Sequence, residues 1–259
     1  MLHLSRQGII SGSGGGAGDG SDLAMMTFDG STGYYRTTSA FGMGAYGSLI
    51  VARFNIAETG PNTNYIFRNQ SRSGLYTRLG LFVYSTTHAD PELAGRLGLF
   101  AADSGGSATL CKLISKESVV DGATRTVYGF YEDDGTGYLY INGVDADDTG
   151  NSNRVLISGT SMFGAISFHN SVGGSIDGTS LFNGKIGYAG FHSDSYMDTS
   201  PPSPTDFYDP VTGLNETIDE TTWTEWGAAP LHWNKFGQMT DNKGSGANMT
   251  AYGTITGPA

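Results

Sequence analysis

Residues 130–148 read FYEDDGTGYLYINGVDADD. Aromatic residues alternate with small or aliphatic ones on either side of an acidic patch, a period of two that belongs to a strand. RTVYGFY (125–131) and GYLYI (137–141) are therefore expected to be two strands. EDDGT (132–136) is the reversal between them, because Asp-Gly is a common turn pair. Asn142-Gly143 makes a second tight turn into Val144. On this reading the carboxylates of Glu132, Asp133 and Asp134 are solvated turn residues.

The same pattern extends in both directions. MTFDG, GYYRT, SLIVARFNI, NYIFRN, LYTRLGLFVYS, RLGLFAA and TLCKLIS precede the hairpin, and MFGAISFH, FNGKIGYAGFHSD and MTAYGTIT follow it. These runs are short, aromatic or β-branched, and separated by Gly, Asn, Asp and Ser. No long stretch carries a helical period. The 40 glycines among 259 residues, with no three-residue repeat, fit many short strands joined by tight turns. The expected architecture is all-β, a jelly-roll sandwich of two antiparallel sheets. In SLIVARF, Ile50, Ala52 and Phe54 should share one face and Leu49, Val51 and Arg53 the other. The run is apolar enough for both faces to be covered. Arg53 must then reach a rim or a carboxylate.

Three chemistries compete for the acidic residues. Turn geometry is the first. A calcium site is the second, since hard cations need several oxygens and Asp133, Asp134, Asp145 and Asp147, with Asp148 beside them, supply them. The EF-hand spacing is absent. Glycoside hydrolysis is the third, and needs two carboxyls facing one bond, one with a raised pKa. The acidic residues here lie in loops, and so do Glu216, Asp219, Glu220 and Glu225. Trp223, Trp226 and Trp233 cluster near the C-terminus, where a tryptophan either fills the core or stacks on a sugar face. Trp223 and Trp226, with Asn142, are the candidate ligand-binding residues. GMGAYG (42–47) has dinucleotide-fingerprint spacing, but a strand follows where a helix should cradle phosphate, so it is a turn. The five histidines lack metal-ligand spacing.

A net charge of −11 without a Lys/Arg cluster argues against nucleic-acid binding. Cys111 is the only cysteine, which excludes an intrachain disulfide and suits a core position. No apolar run is long enough to span a bilayer. Residues 1–21 are expected to be an arm, Met1 to Ile10, on a Gly/Ser linker, with no signal peptide. Residues 22–259 are expected to form one sandwich domain. A proline-rich loop near 198–212 should precede a C-terminal strand that returns to the sandwich.

RTVYGFYEDDGTGYLYINGVDADD (125–148) resembles the paired strands of laminin-G/concanavalin-A-like domains, where a strand, a turn and a strand ending in "lYiNG" recur in this order. FNGKIGYAGFHSDSYM (182–197) is similar to the late strand of that family, and MTFDGSTGYYR (26–36) to its early "FDG" strands. The likeness covers Leu23 to about Met197 and the final DNKGSGANMTAYGTITG. It implies a concanavalin-A-like sandwich that binds glycans, often with Ca2+ at a loop rim, and a terminal strand paired with the first. DTSPPSPTDFYDP stands where the family has a short helix, a departure that obscures any ligand rim. The style also resembles phage virion proteins that carry such a domain behind a short arm. That implies a non-enzymatic lectin-like protein of the virion surface, assembled in the host cytoplasm as a homo-oligomer. It would contact other virion proteins through the arm and host glycan through the domain, as a tail adhesin or a capsid decoration, with no membrane insertion. The alternative is a carbohydrate-active enzyme or its binding module.

Overall fold

The computed structural model describes residues 25–37, 47–71, 77–103, 108–132, 134–158, 169–194, 204, 232–235 and 249–257. The strands are β1 (Met26–Asp29), β2 (Tyr34–Thr37), β3 (Gly47–Asn55), β4 (Asn64–Gln70), β5 (Thr77–Val83), β6 (Arg96–Ala102), β7 (Thr109–Ser118) and β8 (Thr124–Glu132). They continue with β9 (Gly137–Ile141), β10 (Val144–Asp145), β11 (Val155–Leu156), β12 (His169–Val172), β13 (Asn183–Asp194), β14 (His232–Lys235), β15 (Met249–Tyr252) and β16 (Ile255–Thr256). The first sheet runs β10-β9-β8-β3-β13-β1-β16, with β14 also on β13. The second runs β11-β7-β6-β5-β4-β12-β2-β15. Neighbouring strands are antiparallel, as expected for an all-β sandwich.

The two-residue alternation sorts side chains between the sheets. Ile50, Ala52 and Phe54 of β3 enter the core, where they share a cluster with Leu79, Leu81 and Val83 of β5. Each of the larger side chains, Ala52 excepted, contributes roughly 1.5–3 kcal/mol on burial. Phe28 of the first sheet meets Tyr35 of the second edge-on at 6.1 Å, and Phe182 packs on both Phe28 and Phe54. Leu49 and Val51, on the other face of β3, are also fully buried. Arg53 is buried with them, and its Nη1 reaches Oγ1 of Thr126, its partner in register on β8, at 3.4 Å. Cys111 is buried in the core, and burial pushes its thiol pKa up.

Chain crossings close both long sides of the sandwich. On one side β1 leads to β2 around Asp29, whose Oδ1 accepts N–H bonds from Ser31, Thr32 and Gly33. The return from β15 to β16 turns at Gly253 (φ 67) against the same corner, and Thr254 N–H donates to Thr32 Oγ1. A Cβ on Gly253 would lie 2.0 Å from the Thr32 carbonyl oxygen, so only glycine fits. On the other side, residues 145–148 pass from β10 at the edge of the first sheet to β7 of the second. Ala146 N–H donates to Leu139 O, Lys116 N–H to Ala146 O, and Asp148 N–H to Ile114 O. Of the outermost strands, β10, β11 and β16 are two residues long and β15 is four.

Candidate functional site

The hairpin of the opening stretch forms where the alternation places it, with β8 and β9 paired from Val127↔Ile141 to Tyr131↔Gly137. At its tip Glu132 N–H donates to Thr136 O, Gly135 takes a φ of 89°, and Asp134 Oδ1 accepts the Thr136 N–H at 2.6 Å. Asp134 is a turn residue, whereas Glu132 is not the solvated turn residue expected: it is the last residue of β8 and is buried. Asp133 lies outside the described residues, as do Trp223 and Trp226. Asn142 (φ 52) and Gly143 (φ 74) make the second turn with two positive φ values, the I′ geometry that matches strand twist. Asn142 Oδ1 accepts the Thr126 N–H at 2.8 Å, and its own N–H donates to Thr126 O. The amide oxygen offered as a ligand contact is thus engaged in holding β8.

The aspartates beyond that turn are paired with cations. Arg154 donates Nε and Nη2 to Asp147 Oδ2, both at 2.8 Å, and this carboxylate is almost fully buried. Arg96 Nη1 lies 2.6 Å from Asp148 Oδ2, and Lys116 Nζ 3.3 Å from Asp145 Oδ2. Asp145 Oδ1 also accepts the Asp147 N–H. The described members of the expected calcium set, Asp134, Asp145 and Asp147, do not converge. Asp134 sits beyond Gly137, whereas Asp145 pairs with Tyr140. Three residues of extended strand, roughly 10 Å, lie between. Among the described residues no group of three His, Cys, Asp or Glu side chains could hold a metal ion. The acidic run is a seam between the sheets, neutralised strand by strand. Beside it opens a groove of about 310 Å³, lined by Val119, Ile141 and Val144 and by the Lys116–Asp145 and Arg125–Asp121 pairs.

The second cluster was not expected from the sequence. It lies on the second sheet, on the face turned away from the core. Phe82, Tyr84, Leu93 and Ile114 pack together there, with Tyr65 and Phe100 half-buried around them. Tyr65 and Phe82 stand 5.3 Å apart, and Phe82 and Tyr84 meet edge-on at 5.0 Å. Gly98 provides the seat: a Cβ there would come within 2.7 Å of the Phe82 ring. Cations lie on the rings. The Arg68 guanidinium is 4.5 Å from the Tyr65 centroid, and Lys112 Nζ is 5.8 Å from that of Tyr84. Further along the same face Arg36 covers Tyr252 at 4.7 Å, and Tyr252 stacks on Tyr34. Burial pushes the Tyr84 phenol up and the Lys112 ammonium down. The readable signal was a cation within each of the apolar runs GYYRT, NYIFRN and TLCKLIS. That these three share a face depends on strand pairing.

No family model matches the sequence, and no sequence relative is found among characterised proteins. Solved structures do match. A native heptameric SAP-like pentraxin from Limulus polyphemus is 13% identical, with a TM-score of 0.51 over 93% of this chain and 97% of that one. Domains LG4-5 of the mouse laminin α1 chain are 14% identical, with a TM-score of 0.45 over 65% of this chain and 40% of that one. At such identity the likeness is one of fold, and together with the two antiparallel sheets it shows that this chain is a concanavalin-A-like β-sandwich.

Proposed function

We propose that this chain is a non-enzymatic glycan-binding protein of a phage virion surface, serving host adhesion at the tail or decoration of the capsid. The observation that carries the glycan reading is the aromatic cluster on the outer face of the second sheet. Sugar rings present apolar C–H faces that stack on aromatic side chains, while hydroxyls take the neighbouring donors. Tyr65 and Phe100 are half-buried there beside Arg68 and Lys112.

For the non-enzymatic reading, the described carboxyls whose pKa values are displaced are held low. A general acid needs a carboxyl held above its ordinary range. Hydrogen bonds from Asn153, Arg125 and Arg96 hold Asp90, Asp121 and Asp148 below it, Asp121 at about 2. Burial works against Asp29 and Asp177, but bonds from Thr32 and Thr179 outweigh it. The virion placement rests on the arm-and-linker sequence of residues 1–21, which lie outside the described residues.

Incubating the chain with host-surface polysaccharide separates the readings. Retention of the polymer with no new reducing ends is expected. Release of shortened products would establish an enzyme, and absence of retention would remove the glycan reading. Antibody labelling of intact particles tests the placement, and deletion of residues 1–21 should weaken incorporation while leaving the sandwich folded. Unimpaired incorporation of the truncated chain would overturn the role of the arm.

A further inference from the structure

Five consecutive pairings draw one line across the second sheet. Arg36 faces Ser171, Ser171 faces Arg68, Arg68 faces Gly80, Gly80 faces Phe100, and Phe100 faces Lys112. Directly opposed residues of antiparallel strands project to the same side. Three cations therefore stand in a row at right angles to the strands, on the face that carries the aromatic cluster. At about 4.8 Å per strand, Arg36 and Arg68 are roughly 10 Å apart and Arg68 and Lys112 roughly 14 Å.

These cations differ from those at the seam. Arg96, Lys116, Arg125 and Arg154 each hold a carboxylate at 2.6–3.3 Å. Among the described residues, Arg36, Arg68 and Lys112 have no such partner. Arg36 donates to the Ile176 carbonyl and the Tyr252 hydroxyl, Arg68 to Thr77 Oγ1, and all three rest on tyrosine rings. Asp177 and Asp90 act on Arg68 and Lys112 only at longer range. A chain of net charge −11 thus keeps a line of positive charge unneutralised on one sheet face.

We infer that this row is the binding track for an acidic polysaccharide, which crosses the strands with its carboxylate or sulfate groups on Arg36, Arg68 and Lys112 and a sugar face on Phe100. The inference rests on the glycan-binding reading and assigns it a face and a ligand class. The spacing favours a polymer whose charges are separated by uncharged rings. Phosphates spaced more closely than the row leave charges unmatched by it, and each of these adds repulsion from the acidic remainder of the chain.

The test measures binding of the full chain to hyaluronate, whose charges alternate with uncharged rings and which should bind best. Chondroitin sulfate and polygalacturonate, charged on every ring, are measured beside it, with mannan and dextran as neutral probes and single-stranded DNA as a polyanion control. Binding to at least one acidic polymer is expected, weakening as salt is raised. Arg36→Gln and Arg68→Gln should each reduce it by about tenfold or more, the scale of a lost charge-assisted contact. Arg68→Lys should retain most of it. Lys185→Gln removes one positive charge at an exposed position of the first sheet and should leave it unchanged. Near-UV circular dichroism confirms that each variant is folded. Binding confined to neutral polymers and indifferent to the row variants would overturn the track while leaving the glycan reading standing. Failure to bind any polysaccharide would overturn both. An equal loss with Lys185→Gln would reduce the effect to net charge, and DNA binding that matches the acidic polymers and vanishes in the row variants would reassign the ligand.

Discussion

Asn142 shows how one residue can serve two demands. Its φ of 52° is a conformation that few L-residues adopt readily, and its side chain accepts the Thr126 N–H that the strand ladder would otherwise leave open. Asn142→Ala loses the hydrogen bond and keeps the strain, and should cost roughly 1–2 kcal/mol in urea denaturation. Asn142→Gly loses the bond alone and should cost less than alanine. A reversed order would mean that the turn relaxes to another geometry. Burial separates two neighbouring aspartates in the same way. Asp147 is 7% exposed at its side chain and grips Arg154, while Asp145 is 59% exposed beside Lys116. Asp147→Ala leaves a half-buried guanidinium unpaired and should cost about 3 kcal/mol. Asp145→Ala should cost under about 1 kcal/mol, because solvent screens the pair. Equal losses for the two would show that Asp147 is less enclosed than its geometry states.

At the scale of elements, the acidic run acts as a crossover. It leaves β10, bonds to β7 through Lys116 N–H and Asp148 N–H, and sets its three carboxylates on cations from β6, β7 and the segment before β11. A divalent ion would have to displace those cations. Millimolar calcium and chelator should therefore give the same melting temperature, since an ion with no site in the folded state shifts nothing by mass action. A rise with calcium that is lost in an Asp134→Asn variant would restore the hairpin tip as a metal site. The edge strands bear on the same question of partners. The outermost strands β10, β11 and β16 are two residues long and β15 four, short edges of the kind that limit pairing with another chain.

At the scale of the molecule, the two nested corners at Asp29 and Gly253 tie both ends of the described chain to both sheets. β16 pairs with β1, and β15 with β2. A chain ending at residue 248 loses Met249 from the core and unpairs both strands. Its melting temperature should fall by roughly 10 °C or more, given 2–4 °C per kcal/mol for a domain of this size. A truncated chain that melts like the full one would show that the corner contributes nothing. Acid stability belongs to this scale too. Arg125 holds Asp121 at about 2, and Arg96 holds Asp148 below its ordinary range. A carboxyl depressed in the folded state adds stability that is complete above its unfolded pKa of about 4 and disappears as pH falls through the folded value. Urea midpoints should therefore drop between about pH 4 and pH 2, and Asp121→Asn should flatten part of that drop. An unchanged slope in the variant would assign the acid transition to other groups.

The strands and their turns were legible in the sequence because both are local. The alternation in SLIVARF and RTVYGFY, and the pairs Asp134-Gly135 and Asn142-Gly143, act within a few residues, and the structure places β3, β8 and β9 where they point. Even the burial of both faces of β3 followed from an apolar run interrupted only by Arg53. What the carboxylates face was decided by tertiary structure. Asp148 finds Arg96 across 52 residues, and no spacing in the chain announces that meeting. The cation row is the same case. Arg36, Arg68 and Lys112 are single charges in separate apolar runs, and a shift of one residue in any pairing would send that charge to the opposite face. Ser171 stands between Arg36 and Arg68 only because β12 enters the sheet between β2 and β4, with Ser171 Oγ bonded to the Arg68 carbonyl 103 residues away. Short-range periodicity determines which residues form strands. Register, set by packing between distant segments, determines which side chains meet and so where a ligand can bind.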